Sequence, residues 1–266
     1  MTTAPLALHV YRAVSGGGAC VVLLHGFPLD HRMWDDVAER LPEDVAVVAP
    51  DLPGLGASPV DASLPPSLEA AADAVARAVR DEGLDEVVVV GLSMGGYVAL
   101  ALAERHPELV VGLVLVDTRS TPDGDEARAK RLRLADEVLA SHSVAPVSDV
   151  SGLVGSTTAE ERPVVVARLE AWVREQPPEG VAWSQRAMAA RPDRTDVLTA
   201  FAGPSAVVVG AQDTVTPESA AEHMAAQLTD AHYVVVAGSG HMSAVETPDA
   251  VAAAIVDVVR RVPPRY

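Results

Sequence analysis

Cysteine occurs once in these 266 residues, at Cys20, so no intramolecular disulfide can form. Set within an apolar run, Cys20 reads as a small buried hydrophobe. Lysine also occurs once, at Lys130, and nearly all the positive charge is arginine. The 20 basic residues face 37 acidic ones, for a net charge of −17. That balance argues against nucleic acid or an anionic membrane as a partner, and its plain use is solubility. No apolar stretch approaches the roughly 18 residues of a membrane span, and Met1 to Val14 lacks a basic segment followed by an apolar core. The expectation is a cytoplasmic protein. Internal repeats and low-complexity tracts are also missing.

What is present is a succession of short apolar runs. Hydrophobic residues make up 49% of the chain, enough for one large α/β domain. Leu6 to Val14 alternates loosely and reads as an edge strand, with Ser15 to Gly18 turning out of it. Cys20–Leu24, Val45–Ala49, Val87–Val90, Leu113–Val116, Ala206–Val209 and Tyr233–Val236 are apolar on both faces, as strands of a helix-covered parallel sheet must be. Helical patterns separate them: Asp30–Leu41, Leu68–Glu82, and a helix from Tyr97 to Arg105. Thr216-Pro217 and Thr247-Pro248 each read as an N-cap threonine with proline at the first helical position. Between about Thr118 and Arg194 the alternation breaks. That region carries helical patterns over Ala127–Ala140, Val164–Glu175 and Ala182–Ala190 and reads as an inserted helical lid. The division is a core of residues 1–117 and 201–266 with a helical cap at 118–200, and Arg260 to Tyr266 reads as frayed.

One stretch carries chemistry. Val87 to Val90 runs into Gly91-Leu-Ser93-Met-Gly95-Gly96 and then directly into helix. This is the nucleophile-elbow pattern, in which glycines let strand and helix nearly touch while the serine hydroxyl is pushed out beyond the sheet. A phosphate loop is excluded because no Gly-Lys-Ser/Thr follows. An activated serine needs a base and an orienting acid. His241, in Gly238-Ser-Gly-His241 after the last strand, is the base candidate. The other histidines lie in or beside strands (His9, His232), on helical segments (His31, His106, His142, His223), or at the end of an early strand before Gly26 (His25). Two carboxylates end strands between Ser93 and His241. Asp213 directly precedes the histidine loop in strand order and is favoured; Asp117 is the alternative, otherwise a hydrogen-bonded strand end. The N–H groups of Phe27 and Met94 are the expected oxyanion donors. Trp34, Tyr97, Trp172, Trp183 and Met188 are candidate pocket walls, with core packing as the competing use. A histidine base must be neutral, so activity is expected to fall below about pH 6.5.

Taken together, His25-Gly-Phe-Pro28, Asp51-Leu-Pro-Gly54-x-Gly56-x-Ser58, Gly91-Leu-Ser93-Met-Gly95-Gly96, Gly210-x-x-Asp213 and Gly240-His241 resemble the α/β-hydrolase fold family over essentially the whole chain. The resemblance implies a mostly parallel sheet with helices on both faces, Ser93 as nucleophile, Asp213 as acid, His241 as base, and a cap from 118 to about 200. Within the family the chain is most similar to small bacterial esterases and the enol-lactonase group. The expectation is a hydrolase of small carboxylic esters or lactones with no cofactor and no metal. The alternatives are carbon–carbon bond hydrolysis by the same residues, or ligand binding without turnover. Epoxide hydrolases and haloalkane dehalogenases of this fold use an aspartate where Ser93 stands. Oligomeric state is not encoded in any of these motifs.

Overall fold

Among the described residues the β-branched runs assemble into one seven-stranded sheet. The structure, a computed structural model, describes residues 5–13, 20–61 and 65–263. Its strands are β1 (Leu8–Arg12), β2 (Cys20–Leu24), β3 (Ala46–Pro50), β4 (Val87–Leu92), β5 (Val110–Val116), β6 (Ser205–Gly210) and β7 (Ala231–Val236). They lie in the order β1-β3-β2-β4-β5-β6-β7. Among the described residues only β1, at one edge, runs antiparallel to its neighbour, and the other pairings are parallel. The turn expected at Ser15–Gly18 lies outside the described residues.

Strand alternation divides the core in two. Cys20, Val22 and Leu24 of β2 and Val87 and Val89 of β4 face one apolar layer; Val21 and Leu23, with Val88, Val90 and Leu92, face the other. The first layer is closed by α2 (Leu68–Asp81) and α3 (Met94–Arg105). In α2 the Ser67 hydroxyl caps the Ala70 N–H, and Leu68, Ala71, Ala72, Val75, Ala76 and Val79 form a buried stripe at helical spacing. The second layer is closed by α1 (Asp35–Ala38) and by α11 (Pro248–Arg261), which buries Val251, Ile255 and Val258. Each fully buried valine or leucine contributes on the order of 1.5–3 kcal/mol.

Between β5 and β6 lie α4 (Asp125–Ser141), α5 (Ser156–Glu161), α6 (Pro163–Arg174), α7 (Pro178–Ala189) and α8 (Thr195–Ala200). α4 packs on α7. Between β6 and α11 come α9 (Glu218–Gln227) and the short α10 (Ser243–Glu246).

Four local expectations are corrected. The helix read over Asp30–Leu41 is a 3-10 turn, His31–Trp34, followed by the four-residue α1. Pro42 disfavours helical backbone at Leu41, and the Asp30 carboxylate caps the tight turn at Arg32. Thr216 does not cap α9, because Pro217 holds that position and the threonine hydroxyl is engaged elsewhere. Fraying does not begin at Arg260, because α11 runs to Arg261, whose guanidinium pairs with Asp230 and Asp257; residues 264–266 lie outside the described residues. The third α-helix starts at Met94 rather than Tyr97, directly after the serine.

Candidate active site

The loops that follow the parallel strands converge, as crevices at the carboxyl edge of such sheets do. Ser93 sits between β4 and α3 with φ 53° and ψ −112°, a conformation that strains any residue with a Cβ. Its neighbours over-determine it. The Ser93 N–H donates to Val116 O at 3.0 Å, and its carbonyl accepts from Gly96 N, Tyr97 N and the Thr118 hydroxyl. The turn also requires two glycines. A Cβ at Gly91 would lie 2.3 Å from Gly95 O, and one at Gly95 would lie 2.0 Å from Leu24 O.

This turn directs the serine hydroxyl at the histidine. His241 Nε2 lies 2.9 Å from Ser93 Oγ, and His241 Nδ1 lies 2.8 Å from Asp213 Oδ2. Asp213 accepts further bonds at Oδ1 from Val215 N at 2.8 Å and Thr216 N at 2.9 Å, and at Oδ2 from the Thr216 hydroxyl at 2.6 Å. Burial alone would raise the Asp213 carboxyl, but hydrogen bonding from His241 and its charge, with the Thr216 donors, hold it below the usual carboxylate range. Thr216 Oγ1 also lies 3.1 Å from His241 Nδ1, so the imidazole faces both acceptors. Sequence reading missed this hydroxyl by assigning it to a helix cap. Its position three residues after Asp213 was the available signal.

Asp117 is brought to the same region but not into this relay. It is fully buried at the end of β5, where it accepts from Gly210 N at 2.9 Å, Ser243 N at 2.9 Å and the Ser243 hydroxyl at 3.0 Å. Burial first, and then the nearby Asp213 charge, push its carboxyl well up. It ties the end of β6 to the loop carrying His241.

The His25–Pro28 loop lies against the elbow. A Cβ added at Gly26 would stand 2.9 Å from the Leu92 side chain and 3.7 Å from Ser93 Cβ. His25 is a structural tie: its Nε2 accepts from Leu52 N at 2.8 Å, which leaves the proton on Nδ1 to donate to Gly26 O at 3.0 Å. Burial lowers its pKa and keeps it neutral. Among the described residues, neither the Phe27 nor the Met94 N–H is paired with a protein acceptor.

The expected pocket residues do not form one wall. Phe27, Met94, Tyr97, Trp183 and Met188 belong to the first apolar layer, with the Arg191 guanidinium 4.2 Å over the Tyr97 ring. Trp34, 0% exposed, and Trp172 belong to the second, and Trp172 carries the guanidinium of Arg168 at 5.1 Å. Nearness to Phe27 in sequence gave no sign of this, because the 3-10 turn directs Trp34 into the opposite layer.

Among the described residues, one carboxylate–imidazole group, Asp30, His31 and Asp51, has ligand atoms close enough for a metal ion. Its oxygens are already committed: Asp30 to Arg32 and Gln176, Asp51 to His31 and Ala57 N. Among the described residues, no helix is long and apolar enough to cross a membrane.

A mostly parallel sheet presenting a serine on a strained strand-to-helix turn, within hydrogen-bond reach of a histidine from the last loop, defines a hydrolase scaffold. The chain belongs to the alpha/beta hydrolase family, whose model matches residues 21–254. It is 32% identical to a pimeloyl-[acyl-carrier protein] methyl ester esterase of Aromatoleum aromaticum, covering 90% of this chain and 98% of that protein. It is 40% identical to lipase LipV of Mycobacterium tuberculosis over about half of each chain (50% and 49%). Among solved structures, a thermophilic esterase from Thermogutta terrifontis matches with a TM-score of 0.89 and 37% identity over 97% of this chain and 93% of that one. The enol-lactonase from Burkholderia xenovorans LB400, at 24% identity and a TM-score of 0.86 over 96% of each chain, shares the fold.

Proposed function

We propose that this ester-bond hydrolase cleaves a small carboxylic ester or lactone through an acyl-enzyme on Ser93. The observation that carries the reading is the unbroken relay Ser93 Oγ–His241–Asp213, at 2.9 and 2.8 Å. Esterases matched across nearly the full chain support the ester class.

In this mechanism His241 Nε2 takes the Ser93 proton as the oxygen attacks the carbonyl carbon. Asp213 and Thr216 keep the other imidazole proton on Nδ1 and stabilise the imidazolium that forms. The N–H groups of Phe27 and Met94 receive the developing oxyanion, each worth roughly a hundred- to a thousandfold in rate. The imidazolium protonates the leaving alcohol, and water, deprotonated in turn by His241, releases the acid. The helices of 118–200 act as a cap, with Phe27, Tyr97, Trp183 and Met188 as the pocket-facing set. A cytoplasmic setting is part of the proposal.

The test is a panel of short-chain p-nitrophenyl esters and small lactones assayed with wild type and Ser93→Ala. Turnover of at least one class, lost in the variant, is expected. Turnover that survives Ser93→Ala would refute the mechanism.

A further inference from the structure

Glu246 is a buried carboxylate that the proposed chemistry does not use. It is 1% exposed at the end of α10, and among the described residues no cation pairs with its carboxylate. Its charge is met instead by peptide N–H groups. Oε1 accepts from Gly240 N at 3.0 Å and Met242 N at 3.1 Å, the two amides flanking His241, and Oε2 accepts from Gly155 N at 2.8 Å. His241's own N–H donates at 2.9 Å to the carbonyl of Leu153. The peptides of 240–242 are therefore held by Glu246 on one side and by the Leu153 carbonyl on the other, and the same Glu246 carboxylate also accepts from Gly155 of the inserted segment.

The contact has no slack. A Cβ at Gly240 would lie 2.2 Å from Gly155 N, and one at Gly155 would lie 2.9 Å from Gly240 N, so the two backbones touch directly. Arg162, at the α5–α6 junction, adds a bond from its guanidinium to the Glu246 carbonyl at 2.5 Å and is itself anchored on the Thr158 hydroxyl at 2.6 Å. Hydrogen bonds to a charged acceptor are about twice as strong as neutral ones and weaken steeply when geometry is lost. A displacement of segment 153–155 would therefore be felt at His241.

We propose that Glu246 is a positioning residue that locks His241 to segment 153–155, making the placement of the base depend on the seating of the inserted helices. Its catalytic consequence rests on Ser93 and His241 acting as described under Proposed function.

The first test is Glu246→Gln. An amide offers one acceptor oxygen, so its NH2 must face either Gly155 N or the pair Gly240 and Met242. The expected result is a kcat lower by about 10- to 100-fold with KM changed less than threefold, in line with the cost of misplacing a catalytic group. Active sites are titrated to completion with a fluorophosphonate. A positioning role lowers the rate per titrated site, whereas a purely structural role lowers the titre and leaves that rate intact. A rate per site within threefold of wild type overturns the proposal. The second test needs no variant and no turnover: hydrogen exchange of the wild-type protein. The amides of Gly155, Gly240 and Met242 are expected to share one protection factor. Free exchange at Gly155 while 240–242 stay protected would overturn the coupling. A wild type that takes no fluorophosphonate and turns over no ester would refute the functional reading alone, and the exchange measurement would still decide this one.

Discussion

Replacing Asp213 with asparagine removes one charge and no volume, and the structure dictates how the amide must sit. Oδ1 of Asp213 accepts two backbone N–H groups, from Val215 and Thr216. An asparagine oxygen at that position keeps both bonds. The flipped amide would turn its NH2 against both donors, stranding each at about 1–3 kcal/mol. Even about 2 kcal/mol in total favours the unflipped amide by roughly 30 to 1. The NH2 then faces His241 Nδ1 and donates to it, driving the imidazole proton onto Nε2. With that nitrogen protonated, the ring cannot accept the Ser93 proton across the 2.9 Å contact. The expected loss in kcat is about 10⁴-fold, or about 5.4 kcal/mol, as for other triads given the wrong tautomer. The assay is ester hydrolysis at neutral pH beside a thermal melt, with the melt expected to change little. Asp117→Asn, which alters no bond to His241 or Ser93, is expected to lose far less. An Asp213→Asn enzyme keeping more than about a tenth of wild-type activity, or a reversal of the two variants, would refute the assignment.

Three further outcomes follow from the same geometry. Thr216→Val deletes the hydroxyl donor to Asp213 Oδ2 while keeping the backbone donors, and a loss of one such bond should cost roughly 3- to 10-fold in kcat, read from steady-state kinetics. Ser93→Gly relieves the backbone strain at φ 53° and should be inactive yet more stable by about 1 kcal/mol in urea unfolding. Burial opposes the charge on Asp30, but hydrogen bonds from Arg32 and Gln176 outweigh it and hold the carboxyl at about 2 instead of 3.8. The lowered carboxyl contributes stability that is present above pH 3.8 and lost as pH falls through about 2. The difference is on the order of 2 kcal/mol at neutral pH, so Asp30→Asn should shift the urea midpoint at pH 7 and have little effect near pH 2.

The parallel strands were legible because a sheet buried on both faces demands continuous apolar runs, and Cys20–Leu24 and Val87–Val90 have no other use. The elbow was legible for a related reason: Gly91 and Gly95 occupy positions where any Cβ would meet backbone. Side-chain allegiance was harder to read. Trp34 follows Phe27 by seven residues yet lies in the other apolar layer, because a 3-10 turn and a short helix replaced the regular helix that its spacing suggested. Thr216 obeys the rule for a helix cap, but a buried carboxylate three residues upstream is a stronger claimant for its hydroxyl. Glu246 gave no signal at all, since a glutamate near a helix start normally reads as solvated surface and its three partners are backbone groups, one of them 91 residues away.

Whether Ser93 is an activated nucleophile is decided by intact-mass labelling with a fluorophosphonate. A single adduct on the folded wild-type protein and none on Ser93→Ala is expected. An unlabelled wild type, or an adduct that persists in the variant, would contradict it.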